Sequence, residues 1–302
     1  MKSPRIAVLG TKTTCLRLVE ALLADRSVNV AGIITLDDST DSRSRLPDII
    51  EAGKSRSCPT EISASPAAAY QFLLSLGVDL VLVAGWYRLI PSAVLQSIPQ
   101  GFFGLHYSRL PSYRGSAPVV WAIMNGETRI GYSLFKMSDE MDEGPIAIQG
   151  SVPVDESMYV SDILNRLDHA SSLAVAGAAH AIASGAHTLF QQTDESPSFS
   201  GARSPLDGRI NWSQPASVIA RAVRAQSKPY PGAFSTLKGE RVVIWRASPD
   251  SDAKYYGAPG QVIRMIGSSP VIACGQSSGL ILDEIESRID PIRFSLLTSR
   301  FL

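Results

Sequence analysis

The chain has no excess of either charge: 28 lysines and arginines balance 28 aspartates and glutamates across 302 residues. Proteins that grip a polyanion usually carry a basic excess or stripe, so this balance counts against a nucleic-acid substrate. Cysteine is scarce too. Cys15, Cys58 and Cys274 lie far apart and form no metal-ligand spacing or disulfide framework, which suggests reduced structural thiols and a cytoplasmic setting. No apolar run reaches bilayer length, and MKSPRIAVLG turns into a strand without a signal-type apolar region. A soluble protein with no membrane partner is therefore expected. The first strand ends in a lone Gly10 rather than a G-x-G-x-x-G turn, so a dinucleotide is not the implied ligand. Only four histidines are present.

What is present describes a globular α/β protein, 45% hydrophobic and 19% charged. RIAVLG (5–10) and VNVAGIITL (28–36) read as buried parallel strands flanking a helix at Thr11–Leu23, a βαβ unit that opens a doubly wound, Rossmann-like domain. The polar stretch 37–57 reads either as a plain connection or as a loop that grips substrate. A helix at 67–76, a buried strand at 78–84 and a short helix after Pro91 follow. Strands are predicted at 131–137 and 146–154, then a long amphipathic helix over 158–184 whose His169 and His180 read as surface or packing residues. Near residue 190 the composition turns polar and rich in Pro, Ser and Gly. Three segments are expected: an α/β domain over 1–189, a linker over 190–204, and a C-terminal domain over 205–302. In the last segment, one helix precedes short strands separated by turns, as in a small OB-like β-barrel. Trp212 and Trp245 there read as core residues rather than stacking platforms.

Within GFFGLHYSRLPSYRGSAP (101–118), His106 ends a strand-like run at the carboxyl edge of the expected sheet, where open α/β folds place their ligands. Asp142, in the turn EMDEGP, lies just beyond the next strand. A carboxylate on a neighbouring strand end would fix the imidazole's tautomer and orientation for acid–base work, although His–Asp contacts also occur as plain structure.

These residues resemble a family. LHYSRLPSYRGSAPVVWAIMNGE followed by MDEGP is similar to the signature of the folate-dependent formyltransferases, N-x-H-x-S-x-L-P-x-x-R-G and a later D-x-G. His106, Ser108, Leu110, Pro111, Arg114 and Gly115 match in register, as do Asp142 and Gly144. GWYRLIP (85–91) resembles the strand-end loop that cradles a pterin, and RSPLDGRINW, RAVRAQSKPYPGAF and APGQVI resemble the family's C-terminal domain. The resemblance implies 10-formyltetrahydrofolate as formyl donor, held by Trp86, Tyr87, Arg88, Leu89 and Asp139, with Ser108, Arg114 and Gly115 on the acceptor side. It implies His106 and Asp142 as catalytic groups and no metal. RG-x-AP followed by Trp and NGE is closer to amino-sugar formyltransferases, so the expected acceptor is a small amine such as a nucleotide-linked amino sugar, with aminoacyl-tRNA as the alternative. Arg114 reads equally as an anion partner or a loop brace. The C-terminal domain reads as a packing, homodimerising or substrate-gripping barrel.

One motif position departs. Gly104 stands where the family has the asparagine whose amide bonds the formyl oxygen. Loss of one such donor costs about 3–4 kcal/mol in transition-state stabilisation. Three readings follow: a donor from elsewhere, room for a larger acyl group or different donor, or a binding protein that has lost catalysis.

Overall fold

The computed structural model describes residues 3–193, 196–287 and 299–302. The chain divides into two units, and the division is not contiguous in sequence. The first comprises Met1–Pro118, Arg129–Pro153 and Leu164–Ser200; the second comprises Val119–Thr128, Val154–Ile163 and Gly201–Leu302. The second unit thus takes two short stretches from within the segment expected as one domain.

The first unit is built on a seven-stranded sheet. Its strands are β1 (Arg5–Gly10), β2 (Asn29–Leu36), β3 (Thr60–Ser63), β4 (Leu80–Ala84), β5 (Phe102–His106), β7 (Arg129–Lys136) and β8 (Ile146–Pro153), in the order β3-β2-β1-β4-β5-β7-β8. The first five are parallel; β7 and β8 add antiparallel at one edge. The runs of Val, Ile and Leu that suggested buried strands are covered on both faces, as parallel sheets require. One face packs Leu16, Val19 and Leu22 of α1 (Lys12–Ala24) with Val175, Ala179 and Ile182 of α6 (Val160–Ala183). The other packs Tyr70 and Leu73 of α3 (Pro66–Ser75) over Leu9, Val81, Val83 and Phe102. The strand order reverses between β1 and β4, so the carboxyl ends of β1, β4 and β5 border the crevice where such folds bind ligands. β5 ends on His106.

The expected linker contains structure. β9 (Phe199–Ser200) pairs in parallel with β6 (Arg114–Gly115), within the first unit; residues 194 and 195 of that stretch lie outside the described residues. His169 and His180 are exposed on α6.

In the second unit, α7 (Ala216–Gln226) packs on an antiparallel sheet of β10 (Ala233–Leu237), β11 (Glu240–Asp250), β14 (Gly279–Glu286), β13 (Ser269–Ala273) and β12 (Val262–Ile266), in that order. Residues 299–302 bond to Thr236 on one side and to Gly260 and Val262 on the other, bridging the two edge strands. Trp212 is buried against Phe301, with ring centroids 5.5 Å apart, and its indole N–H donates to Ser235. Trp245 is only half-buried and donates to Glu286. The three cysteines are free and buried, and burial pushes the Cys15 thiol up to about 12. Among the described residues, no helix is long and apolar enough to cross a membrane.

Candidate active site

His106 and Asp142 meet. The imidazole Nδ1 lies 3.6 Å from Asp142 Oδ2, and Nε2 lies 2.9 Å from the carbonyl oxygen of Tyr113. A carbonyl can only accept, so Nε2 carries a proton and Nδ1 is the nitrogen turned toward the carboxylate. Asp142 Oδ2 also accepts the Gly115 N–H at 2.8 Å. The aspartate is thereby tied to the loop that follows the histidine strand.

Local backbone chemistry explains how these groups are delivered. Tyr113 and Asp142 sit in the left-handed region, with φ of 57° each, and this turns the Tyr113 carbonyl and the Asp142 carboxylate toward the ring. Gly115 has φ of 106°, and a Cβ there would come within 2.5 Å of the Ser200 carbonyl oxygen. At Gly144, a Cβ would fall 1.7 Å from the Lys136 carbonyl oxygen, so the Asp-x-Gly turn folds this tightly only with glycine.

The turn is braced by residues that sequence reasoning missed. Gln192 Nε2 donates to the carbonyls of Asp142 (2.7 Å) and Gly144 (2.8 Å). Its Oε1 accepts two bonds from Arg114. Arg114 is buried, and its Nη1 also pairs with Glu143 at 2.9 Å. In this structure its guanidinium therefore braces the loop. Gln192 lies in the polar stretch read as a linker, and no local pattern marks it. Ser108 is buried; its hydroxyl has no hydrogen-bond partner among the described residues, and its carbonyl accepts from Ser133.

Gly104 pairs with Phe135 across β5 and β7. A Cβ at 104 would stand 3.1 Å from Phe135 Cε1 and 3.3 Å from Met137 Cγ. Those two side chains fill the space beside the glycine. Phe135 packs with Leu110 and Ile146, and Met137 also joins the cluster that includes Trp86.

The loop after β4 presents Tyr87, Arg88 and Leu89 exposed, while Trp86 is half-buried, 6.2 Å centroid to centroid from Tyr70. Among the described residues, the peptide N–H groups of Trp86 to Leu89 donate no hydrogen bond within the protein. Ser92, at the start of α4 (Ser92–Leu95), donates to the Asp139 carboxylate and ties this loop to the one carrying Asp142. Met141 is exposed on that second loop. A second polar pair went unseen in the sequence: the Tyr107 hydroxyl donates to Asp168 of α6. Burial pushes both groups above their ordinary range, and the Asp168 charge adds to the rise at Tyr107.

Comparison with known proteins agrees with this arrangement. Residues 4–178 match the family described as formyl transferase, and residues 203–290 match formyl transferase, C-terminal domain. Methionyl-tRNA formyltransferase of Sorangium cellulosum (strain So ce56) is 29% identical over 307 residues, covering 99% of this chain and 97% of that protein. Two solved structures share the fold at low identity. The N-formyltransferase from Helicobacter canadensis, in complex with folinic acid and dTDP-3-aminofucose, gives a TM-score of 0.69 at 15% identity, over 92% of this chain and 98% of its own. HypX from Aquifex aeolicus, in complex with tetrahydrofolic acid, gives 0.68 at 19%, over 95% of this chain and 45% of its own. With both of its domains matched and His106 and Asp142 brought together at the end of β5, the chain belongs to the formyl transferase family and is a formyltransferase.

Proposed function

We propose that this enzyme transfers a formyl group from 10-formyltetrahydrofolate to the primary amine of a small acceptor, a nucleotide-linked amino sugar. The observation that carries the reading is the His106–Asp142 pair beside a loop of uncommitted peptide donors. The residues present fit a reduced folate: the free N–H groups of 86–89 suit the polar edge of a pterin, and the exposed Tyr87, Leu89 and Met141 offer apolar surface. Ser92 and Asp139 would hold the two loops together around it. Bound there, the folate would supply the formyl carbon to the acceptor amine and leave as tetrahydrofolate, its nitrogen regaining one proton in place of the formyl group.

The chain's own residues then position groups and move a proton. His106 Nδ1, the nitrogen not committed to Tyr113, takes the proton released by the acceptor amine. Asp142 lies beside the imidazolium so formed, and the Gly115 N–H holds that carboxylate in place. Holding amine and formyl carbon together supplies much of the acceleration. Gly104 contributes no amide, and Phe135 and Met137 occupy the space a larger acyl group would need there. The formyl oxygen therefore takes its donor from another group.

The small acceptor is supported by the balanced charge and by the shared fold of the sugar-nucleotide-bound Helicobacter canadensis enzyme. A second reading, methionyl-tRNA, is favoured by the relative that matches across 99% of the chain. Turnover of 10-formyltetrahydrofolate with dTDP-linked amino sugars and with methionyl-tRNA, measured side by side, separates them. Formylation of an amino sugar is expected; formylation of the tRNA alone would replace this acceptor with the second one.

A further inference from the structure

Away from the residues that carry formyl transfer, the second unit contains a cleft of about 230 Å³ whose walls hold three arginines, Arg221, Arg224 and Arg246. Arg221 and Arg224 are three residues apart on α7, a spacing that puts both on one side of the helix, and Arg246 projects from β11. Among the described residues, none of the three has a carboxylate within salt-bridge distance. Each is instead held by neutral groups. Arg224 Nη1 donates to the carbonyls of Asp155 (3.1 Å) and Met158 (3.0 Å), and Arg221 Nε donates to Met124 at 3.3 Å. The Arg246 guanidinium stacks over the Tyr159 ring at 4.3 Å.

Gathering three guanidiniums without a contacting carboxylate is unfavourable, most of all for Arg224, which is only 7% exposed. Burial lowers its proton affinity; the more distant Glu156 and Asp155 charges offset that fall in part, and the nearby Arg221 charge adds to it. Two carboxylates line the cleft: Asp283 is engaged by the Ser248 hydroxyl at 2.9 Å, and Glu156 acts on Arg224 only at a distance, without an ion-pair contact among the described residues. A bound dianion would relieve the repulsion, and planar guanidiniums are the side chains best matched to phosphoryl oxygens. Ser217 on the wall adds a hydroxyl donor, while the Ser157 hydroxyl is held by the Asp155 carboxylate.

We infer that this cleft binds the phosphoryl or diphosphoryl group of a small phosphorylated ligand. Size and charge favour a small ligand over a polymer. The volume is below the roughly 300–1,000 Å³ of sites that engulf a whole drug-sized molecule, so it suits one or two phosphoryl groups. Glu156 and Asp283 on its wall, and zero net charge overall, oppose an extended polyanion. The inference does not depend on the proposed acceptor or on formyl transfer.

Titration calorimetry of the full chain with inorganic pyrophosphate tests it, with ADP as the arm that separates an esterified diphosphate from the free ion. Saturable binding of either is expected, weakened about tenfold or more by Arg246→Ala and by Arg221→Ala, and unchanged by His106→Ala. Thermal melts confirm that the variants are folded, and Arg246→Lys, which keeps charge but loses the planar fork, should fall between wild type and Arg246→Ala. No saturable binding up to about 20 mM of either probe would overturn the inference, as would binding indifferent to both alanine variants. A short RNA that binds the same arginines more tightly than either probe would overturn the small-ligand assignment.

Discussion

Left-handed backbone serves different ends in the two units. In the second, the non-glycine residues with positive φ include Lys238, Gln276 and Ser277, which lie in the turns joining β10 to β11 and β13 to β14. Connecting adjacent antiparallel strands requires such angles, whatever the side chains do. The first unit has such angles at Lys12, Ser57, Ala117 and Ser196 as well, but at Tyr113 and Asp142 they flank one histidine. There the strained residues deliver groups: a carbonyl to His106 Nε2 and a carboxylate toward Nδ1. Strain of this kind costs on the order of 1 kcal/mol or more per residue and persists because Gln192, Arg114 and the Gly115 N–H hold the loops in place. The contrast is between left-handed residues that only turn the chain and a pair, Tyr113 and Asp142, that also present groups to a histidine.

Substitutions can break that separation. The largest effect is expected in the second unit, where Trp212→Ala removes a buried indole packed at a tilt against Phe301 and leaves a cavity. The loss should be roughly 3–5 kcal/mol of stability by denaturant unfolding. The His106–Asp142 geometry lies in the first unit, so kcat of the remaining folded fraction should stay near the wild-type value. A comparable loss of kcat in folded protein would show that the division of labour is false.

Asp142→Asn is the converse. Asparagine tolerates positive φ, and its side-chain oxygen can still accept the Gly115 N–H, so the fold should be kept. Only the charge facing His106 disappears. A fall in kcat of about thirtyfold is expected, roughly 2 kcal/mol, with the melting temperature unchanged. An unfolded variant would make the turn structural rather than chemical.

The smallest effect is expected at Gly104. Gly104→Asn restores the family's amide, but its Cβ must push Phe135 and Met137 aside by a few tenths of an ångström. A gain of about tenfold in kcat is expected, below the full value of an oxyanion donor, with about 1 kcal/mol of stability lost to crowding. A steep fall in kcat in a folded variant would show that Phe135 and Met137 are part of the working site as they stand.

The strands at the heart of the first unit were legible because buried parallel strands read as unbroken apolar runs, and RIAVLG and VDLVLVA carry that signal without ambiguity. The hairpins of the second unit were legible through their turns. β3 was not: TEIS is four residues long, and its partners come from tertiary pairing with β2. His106 and Asp142 stood out because each follows a strand and matches a motif. Gln192 was hidden because its bonds go to backbone carbonyls of a loop some fifty residues earlier, which no periodicity records. The crowding at Gly104 was equally invisible, since it depends on the antiparallel register that places Phe135 opposite. Val119–Thr128 and Val154–Ile163 join the second unit through tertiary contacts alone, so composition could not mark those boundaries.

The central claim is that His106 moves the proton in a folate-dependent formyl transfer. It is tested most directly by single-turnover formylation with 10-formyltetrahydrofolate, comparing wild type with His106→Ala, alongside calorimetry with 5-formyltetrahydrofolate. The account predicts a loss of roughly a thousandfold in rate with folate binding retained. Wild-type turnover in the folded His106→Ala variant would contradict it.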